Sequence, residues 1–263
     1  MTPFEILALI FSGLLVGFIN TLAGGGSVIS LSILMMLGLP APVANGTNRI
    51  AIALHNLVAA TSFKQQKVLD VKKGIWLAVP AVAGSVLGAY IAVDINKETF
   101  EKAIAVIMLV MLVFVIYKPQ NLIIERTKLV EKKVSFLQIM IFFLIGVYGG
   151  FIQIGVGYFL LTAIVVSAGY ELVKANAIKV MIIFLYSPFA IFIFFMNDQI
   201  NWAYGLTMTA GNVAGAFIAS RMAVNKGANF VRWVIVVVIL ITAAHLFGLI
   251  DFKEMISSAF KTS

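Results

Sequence analysis

The sequence predicts an all-α integral membrane protein of about ten transmembrane segments, laid out as two inverted repeats of five with short interrupted helices. Three observations carry that prediction: 62% hydrophobic and 11% charged residues over 263 positions, two apolar runs too short to span, and a repeat pairing the halves of the chain. Average soluble domains hold about 45–50% apolar and about 25% charged residues, so a soluble fold is excluded. A mean hydropathy of +1.06 agrees. Ten helices of about 20 residues would use most of the chain, leaving no room for a soluble catalytic domain. Zero cysteines exclude disulfides, thiolate metal sites and iron–sulfur clusters, and two histidines cannot by themselves build an ordinary zinc site, so no cofactor is expected. A net charge of +8 would suit nucleic acid in a soluble chain, but in a membrane chain Lys and Arg mark cytoplasmic loops. The expected partner is therefore the lipid bilayer and not nucleic acid. The opening Met-Thr-Pro-Phe-Glu lacks a basic region, so the first apolar run reads as a retained helix and not a cleaved signal peptide.

In chain order, apolar runs bounded by Gly, Pro, Asn or charge fall at about 4–23, 27–38, 43–63, 73–93, 98–117, 135–154, 157–169, 173–196, 201–221 and 229–250. Eight are long enough to span. Val28 to Gly38 and Tyr158 to Gly169 run about 12 residues, roughly 18 Å as helix, short of a 30 Å hydrocarbon core. Each follows a glycine cluster and precedes an Asn-containing turn, which puts a backbone break at membrane depth, where it must be buried in protein or line a cavity. The polar linker Lys118–Val134 separates two units: 1–118 forms an N-terminal transmembrane repeat, 119–134 a cytoplasmic linker, 135–251 a C-terminal repeat and 252–263 a tail.

An ungapped shift of 131 positions aligns those units. Gly24 meets Gly155, Gly26 meets Gly157, Ala44-Asn45 meets Ala175-Asn176, Gly74 meets Gly205, Ala83-Gly84 meets Ala214-Gly215 and Ala92-Val93 meets Ala223-Val224. The basic connections are 64–73, 118–134 and 221–232, whereas 94–102 is balanced and 197–201 carries Asp198. Ten crossings put the basic connections in the cytoplasm with both termini outside, which makes the two units inverted; eight crossings would put Arg221, Lys226 and Arg232 outside. Inverted repeats with interrupted helices are a secondary-transporter design, with the substrate at the repeat interface.

Which charges stay inside the apolar runs is the sharpest chemical signal. Every acid lies in a loop or near a run's end, yet Arg49 and Lys179 sit inside, in Asn45-Gly-Thr-Asn-Arg49 and Asn176-Ala-Ile-Lys179, on corresponding helices. A buried base without a buried carboxylate wants an anion, and an intramembrane charge is by default a site candidate. The alternative is that both bases snorkel to an interface or bond to backbone carbonyls. Gly24-Gly25-Gly26-Ser27 lets the backbone approach a ligand, and the short helix after it presents free N–H groups and a positive dipole end. Ser27 would cap that helix or donate directly. Gly155-Val156-Gly157-Tyr158 would aim a second helix start from the other unit, unless both clusters are only tight turns. Asn20, Asn45, Asn48, Gln153 and Asn176 suit donation to substrate oxygens, or the gluing of helices. Thr47, Asn56, Tyr186 and Ser187 are weaker candidates; His55 and His245 read as packed, hydrogen-bonded histidines. Gly13-x-x-x-Gly17, Gly84-x-x-x-Gly88, Gly146-x-x-x-Gly150 and Gly211-x-x-x-Gly215 read as close helix contacts, which would serve equally inside a protomer or at the seam of a homodimer. Pro80 and Pro188 read as helix kinks.

At Gly17-Phe-Ile-Asn-Thr-Leu-Ala-Gly-Gly-Gly-Ser27, Ala44-Asn-Gly-Thr-Asn-Arg49, Gly149-Gly-Phe-Ile-Gln-Ile-Gly-Val-Gly-Tyr158 and Ala175-Asn-Ala-Ile-Lys179 the chain resembles the sulfite exporter TauE/SafE family, also called the 4-toluene sulfonate uptake permease family. The resemblance covers about residues 4–250. It implies a bacterial inner-membrane carrier of small sulfur oxyanions and organosulfur compounds such as sulfite, sulfonates, sulfoacetate or hypotaurine. The second cluster is Gly-Val-Gly where members often have three glycines, a departure from equal halves.

Together these readings give a carrier that moves an organosulfonate, sulfinate or sulfite by alternating access. Arg49 and Lys179 attract the anion, helix starts at Ser27 and Tyr158 bind its oxygens, and Asn20, Asn45, Gln153 and Asn176 select its shape. An anion channel is the alternative, followed by an intramembrane enzyme or haem protein, which would need paired ligands. The charge bias predicts Met1 and Ser263 outside and Lys128 in the cytoplasm. In this cysteine-free chain Thr2→Cys and Thr262→Cys should react with an impermeant maleimide from outside, and Lys128→Cys only after permeabilisation. Labelling of the two ends from opposite faces would exclude the inverted layout.

Overall fold

A computed structural model describes residues 1–95, 98–100, 102–103 and 134–246, with few side chains beyond Val231. Most of the expected run 98–117, the linker, the tail, Lys128 and the side chains of Arg232 and His245 lie outside the described residues. Every regular element among those described is helical. The helices are α1 (Pro3–Leu22), α2 (Ser27–Met36), α3 (Ala41–Gln65), α4 (Val71–Asp94), α5 (Phe136–Phe151), α6 (Val156–Ala163, continued by a π turn over Ile164–Ala168), α7 (Leu172–Met196) and α8 (Trp202–Leu246). Three of them, α1, α4 and α7, are long and apolar enough to cross a membrane. α3 has the length but carries Asn45, Asn48, Arg49, His55 and Asn56, all buried, so its polarity faces protein. The chain is a multi-pass membrane protein.

Starts and stops follow local chemistry. Thr2 and Glu5 close a capping box at α1, and Ser135 and Gln138 do the same at α5, each serving otherwise orphaned N–H groups. Asp70 caps α4 by accepting from the Lys73 N–H at 3.0 Å. Both short helices end on a glycine with positive φ, Gly38 and Gly169, and both follow one, Gly24 and Gly155. The expected runs 201–221 and 229–250 are continuous as α8 except at Gly227, whose φ of 72° and ψ of −170° break the helix.

The halves interlock. Gly84 and Gly88 of α4 lie on the backbone of α5 at Phe143 and Val147, and Gly211 and Gly215 of α8 lie on α1 at Ile10 and Leu14. Gly146 and Gly150 of α5 and Gly13 and Gly17 of α1 answer from the facing side, so all eight motif glycines are used between helices of one protomer. Gly74 abuts Met181 and Gly205 abuts Ile50, a reciprocal pair under the 131-residue shift.

One correction to the ungapped shift follows from these contacts. Gly84 meets Phe143 and Val147 where Gly215 meets Leu14 and Phe18, so α1 and α5 correspond by 129 positions, not 131. Two extra residues therefore stand in the second glycine turn, between Phe151 and Gly155. Identity in the first helices is too low to have shown them.

Loops that the charge pattern places together also touch. The Tyr170 hydroxyl donates to Asp70 at 2.5 Å, and the Ser220 hydroxyl donates to Ser62 at 2.8 Å. At the opposite end Asn201 N–H donates to Thr47 at 2.8 Å. Burial alone would push the Asp70 carboxyl up, but the Lys73 N–H, the Tyr170 hydroxyl and the Lys73 charge outweigh it and hold it below its ordinary value.

Gly84→Leu and Gly215→Leu should each separate a helix pair and cost about 1–3 kcal/mol of stability, lowering the unfolding midpoint in detergent. Equal losses are expected, because the two contacts are equivalent; wild-type midpoints in both would refute the close approach.

Candidate functional site

Both backbone breaks lie in the middle of the bundle and touch each other. Gly24, at φ 94°, sits against Gly157 so closely that a Cβ on either would run into the other's Cα. Gly25 packs under the Tyr158 ring, and Gly26 lies over the Val16 carbonyl and Asn20. Two short helices thus begin side by side, α2 at Ser27 and α6 at Val156 after the left-handed Gly155. Their free N–H groups and dipole ends give this point a positive potential. Ser27 does not cap α2; the cap position is Gly26, and the Ser27 hydroxyl instead accepts from Asn20 Nδ2 at 3.3 Å.

A small cavity adjoins the contact, lined by Asn20, Gly24, Ser27, Ile52, His55, Asn56, Gln153, Gly157 and Ile183. Of the residues singled out from the sequence, Asn20, Gly24, Ser27, Gln153 and Gly157 reach it. Gln153 is held by a mutual bond with the Tyr186 hydroxyl at 2.8–3.0 Å. It lies in the longer second turn, where residues 152–154 stand against Ala23 alone. The cavity also contains Asn56, one of the weaker candidates, and His55, which read as a packed histidine because an isolated His carries no spacing signal.

Both bases are fully enclosed, and both are bound to backbone of the other half. Arg49 donates through Nη1 to the Gly149 carbonyl at 2.9 Å and through Nη2 to Gly150 at 2.6 Å, with its guanidinium 4.6 Å from the Phe194 ring centroid. Lys179 donates to the carbonyls of Asn20 at 3.0 Å and Thr21 at 2.9 Å, and to Asn176 Oδ1 at 2.7 Å. The amides complete each set: Asn45 donates to the Phe151 carbonyl at 3.0 Å and Asn176 to Leu22 at 3.0 Å. Residues 20, 21 and 22 correspond by the 129-position shift to 149, 150 and 151, so each half closes the broken helix of the other with a base and an amide. The last carbonyls of α1 and α5 have no intrahelical partner, and a cation is favoured at that negative dipole end.

The carbonyl-bonded reading of the bases therefore describes this conformation. Lys179 uses three donors on three acceptors, whereas Arg49 Nε, Asn48 Oδ1 and the Tyr158 hydroxyl are buried without a partner. Neither base reaches the cavity lining; both stand one layer behind it. No group of three or more His, Cys, Asp or Glu able to hold a metal occurs among the described residues. The arrangement offers polar but uncharged walls, two helix starts and two bases behind them.

The family model described as Sulfite exporter TauE/SafE matches residues 9–246. The chain is 26% identical over 245 residues to a Haemophilus influenzae protein named "Probable membrane transporter protein", covering 92% of this chain and 94% of that one. It is 28% identical over 246 residues to "Probable membrane transporter protein ORF9" of a Sinorhizobium species, covering 92% and 93%. Against "Probable membrane transporter protein YfcA" of Escherichia coli K12 it is 24% identical over 248 residues, covering 94% and 91%. No solved structure matches.

Lys179→Met would leave two carbonyls and one amide oxygen unpaired inside the bundle. It should cost at least about 1–3 kcal/mol of folded stability, even though removing the charge eases insertion. Lys179→Arg should lose less. Thermal unfolding of the purified variants checks this, and a Lys179→Met midpoint at or above wild type would mean that the amine does not close α1.

Proposed function

The chain belongs to the sulfite exporter TauE/SafE family, and from that membership we propose a secondary transporter that moves small sulfur-containing anions across the bacterial inner membrane by alternating access. The substrates are organosulfonates, sulfinates such as hypotaurine, or sulfite. One observation carries the reading: two glycine turns, one from each half, meet at the centre of the bundle, and each opens a short helix beside a cavity of uncharged polar groups. Anions bind at helix starts because the N–H groups are unpaired there and the dipole favours negative charge. A sulfonate or sulfite oxygen set fits such donors, with Asn20, Ser27 and Gln153 as further hydrogen-bonding groups around it.

In this reading Arg49 and Lys179 play a double part. They close the facing helix ends and supply the positive potential that a desolvated anion requires, from behind the cavity wall. Asn45 and Asn176 shape the site through the helix ends they bind, and Gly155 and Tyr158 through the second turn. The reciprocal contacts between halves support an inverted arrangement of ten crossings, in which rocking of the halves about the Gly24–Gly157 contact exposes the cavity to one side and then the other. The two cytoplasmic contacts, Asp70 with Tyr170 and Ser62 with Ser220, would then break and form as that face opens and closes.

Reconstituted protein preloaded with unlabelled sulfite, taurine, hypotaurine or sulfoacetate should accumulate the same labelled compound by counterflow. Arg49→Gln and Lys179→Gln should each weaken binding of the transported compound by about 1–3 kcal/mol, the scale of a bond to a charged group. A steady current without counterflow would identify a channel, bound cofactor colour would point to the haem-protein reading, and counterflow with none of the four would refute the substrate class.

A further inference from the structure

His55 stands on α3 with 1% of its surface exposed and forms part of the cavity wall. Its Nδ1 lies 3.0 Å from the Ala51 carbonyl. A carbonyl can only accept, so Nδ1 carries the proton and Nε2 of the neutral ring is an acceptor. Asn56 Nδ2 meets that acceptor at 2.9 Å while also donating to the Ile52 carbonyl at 2.8 Å. The neutral imidazole is thereby satisfied, but its surroundings are not. Asn56 Oδ1 is buried without a donor, and so is Oδ1 of Asn212 on α8, whose side chain acts on the ring. Asn20 Oδ1, on the same cavity wall, is a third. Buried amide oxygens normally find a donor. A ring nitrogen that gains a proton becomes such a donor, and Asn20 and Asn56 share the cavity wall with the His55 ring.

We propose that His55 couples this carrier to protons: Nε2 takes up one proton when an anion enters the cavity, and proton and anion cross together. The inference rests on the transporter reading. Protonation turns Nε2 into an N–H, rotation of the Asn56 amide presents its unpaired oxygen to that donor, and the Asn212 side chain of α8 favours the charged ring. Charge explains why the anion must be present. The charge of Lys179 on α7 opposes a positive charge on the ring, and Arg49 lies six residues earlier on α3. Tyr186 of α7 and Tyr158 of α6 are the neutral titratable groups nearby. α1 brings only Glu5, in its first turn, and α2 no titratable group; α4 has Lys72, Lys73, Tyr90 and Asp94 towards its ends, and α8 has Tyr204, Arg221 and Lys226 away from Asn212. No carboxylate among the described residues faces the ring. A further positive charge is therefore opposed in the empty cavity and favoured once an anion's charge is there. By linkage, the proton tightens anion binding by the same factor that the anion raises proton affinity. The proton comes from the water on the side to which the cavity is open and leaves with the anion on the other. A monoanion then crosses with no net charge.

Full-length protein in liposomes holding a pH-sensitive dye tests this with labelled ethanesulfonate, whose sulfonate carries no proton near neutral pH. Wild type should acidify the lumen by one proton per anion taken up. It should accumulate the probe down an imposed pH gradient and ignore a potassium diffusion potential. His55→Gln should lose the acidification per anion and the pH drive. Wild-type uptake without acidification would overturn the proposal, as would an unchanged ratio in His55→Gln. Calorimetric binding in two buffers of different ionisation enthalpy gives a second measure that does not depend on that variant. Wild type should bind one proton with the probe and Asn212→Leu measurably less, and equal uptake by both would count against the geometry. Counterflow without protons sinks this inference alone, whereas no binding and no counterflow with any sulfur anion sinks the transporter reading beneath it.

Discussion

The structure depends on how a helix can be interrupted inside a packed apolar bundle. Where α1 and α5 stop, several carbonyls lose their helical partners inside the packed bundle, where water does not replace them, and each unmet group would cost several kcal/mol. The chain answers both interruptions in the same way, with a base and an amide carried one turn apart on the third helix of the opposite half. Arg49 and Asn45 serve Gly149, Gly150 and Phe151; Lys179 and Asn176 serve Asn20, Thr21 and Leu22. Burying a charge is costly, and here the cost is met by acceptors at the negative end of a helix dipole. The glycine turns, the two short helices and the cavity between them all sit on this closure.

Much of the fold was legible because hydropathy and glycine placement act locally. The bounds of α2 and α6, the breaks before them and the kinship of Asn45 with Asn176 could all be read from composition and a fixed shift. The two extra residues in the second turn could not. Apolar helices tolerate Leu, Ile, Val and Phe interchangeably, so α1 and α5 share too few identities to reveal a gap. Only the contacts of Gly84 and Gly215 disclose it. The shift matters, because the longer turn carries Gln153, a cavity group, where the first turn has only Ala23.

The site was legible in part, for a different reason. Sequence can show that a base is inside the membrane but not what it touches, and carbonyl acceptors belong to no residue type. Arg49 and Lys179 therefore read as anion ligands, and the structure instead places them behind the wall on helix ends. His55 and Asn56 failed to stand out for the converse reason. Their importance comes from α8 and α1 bringing Asn212 and Asn20 beside them, which no pattern along α3 announces.

The exchange of closing groups between halves has a consequence for the chain as a covalent object. If the polypeptide were divided between residues 103 and 134, neither fragment would contain the donors that its own first helix needs. Each would hold a cation with nothing to bind and a helix end with nothing to bind it. Neither piece would then be a domain in the thermodynamic sense. Two such fragments meeting in one bilayer would restore to each broken helix the donors that close it.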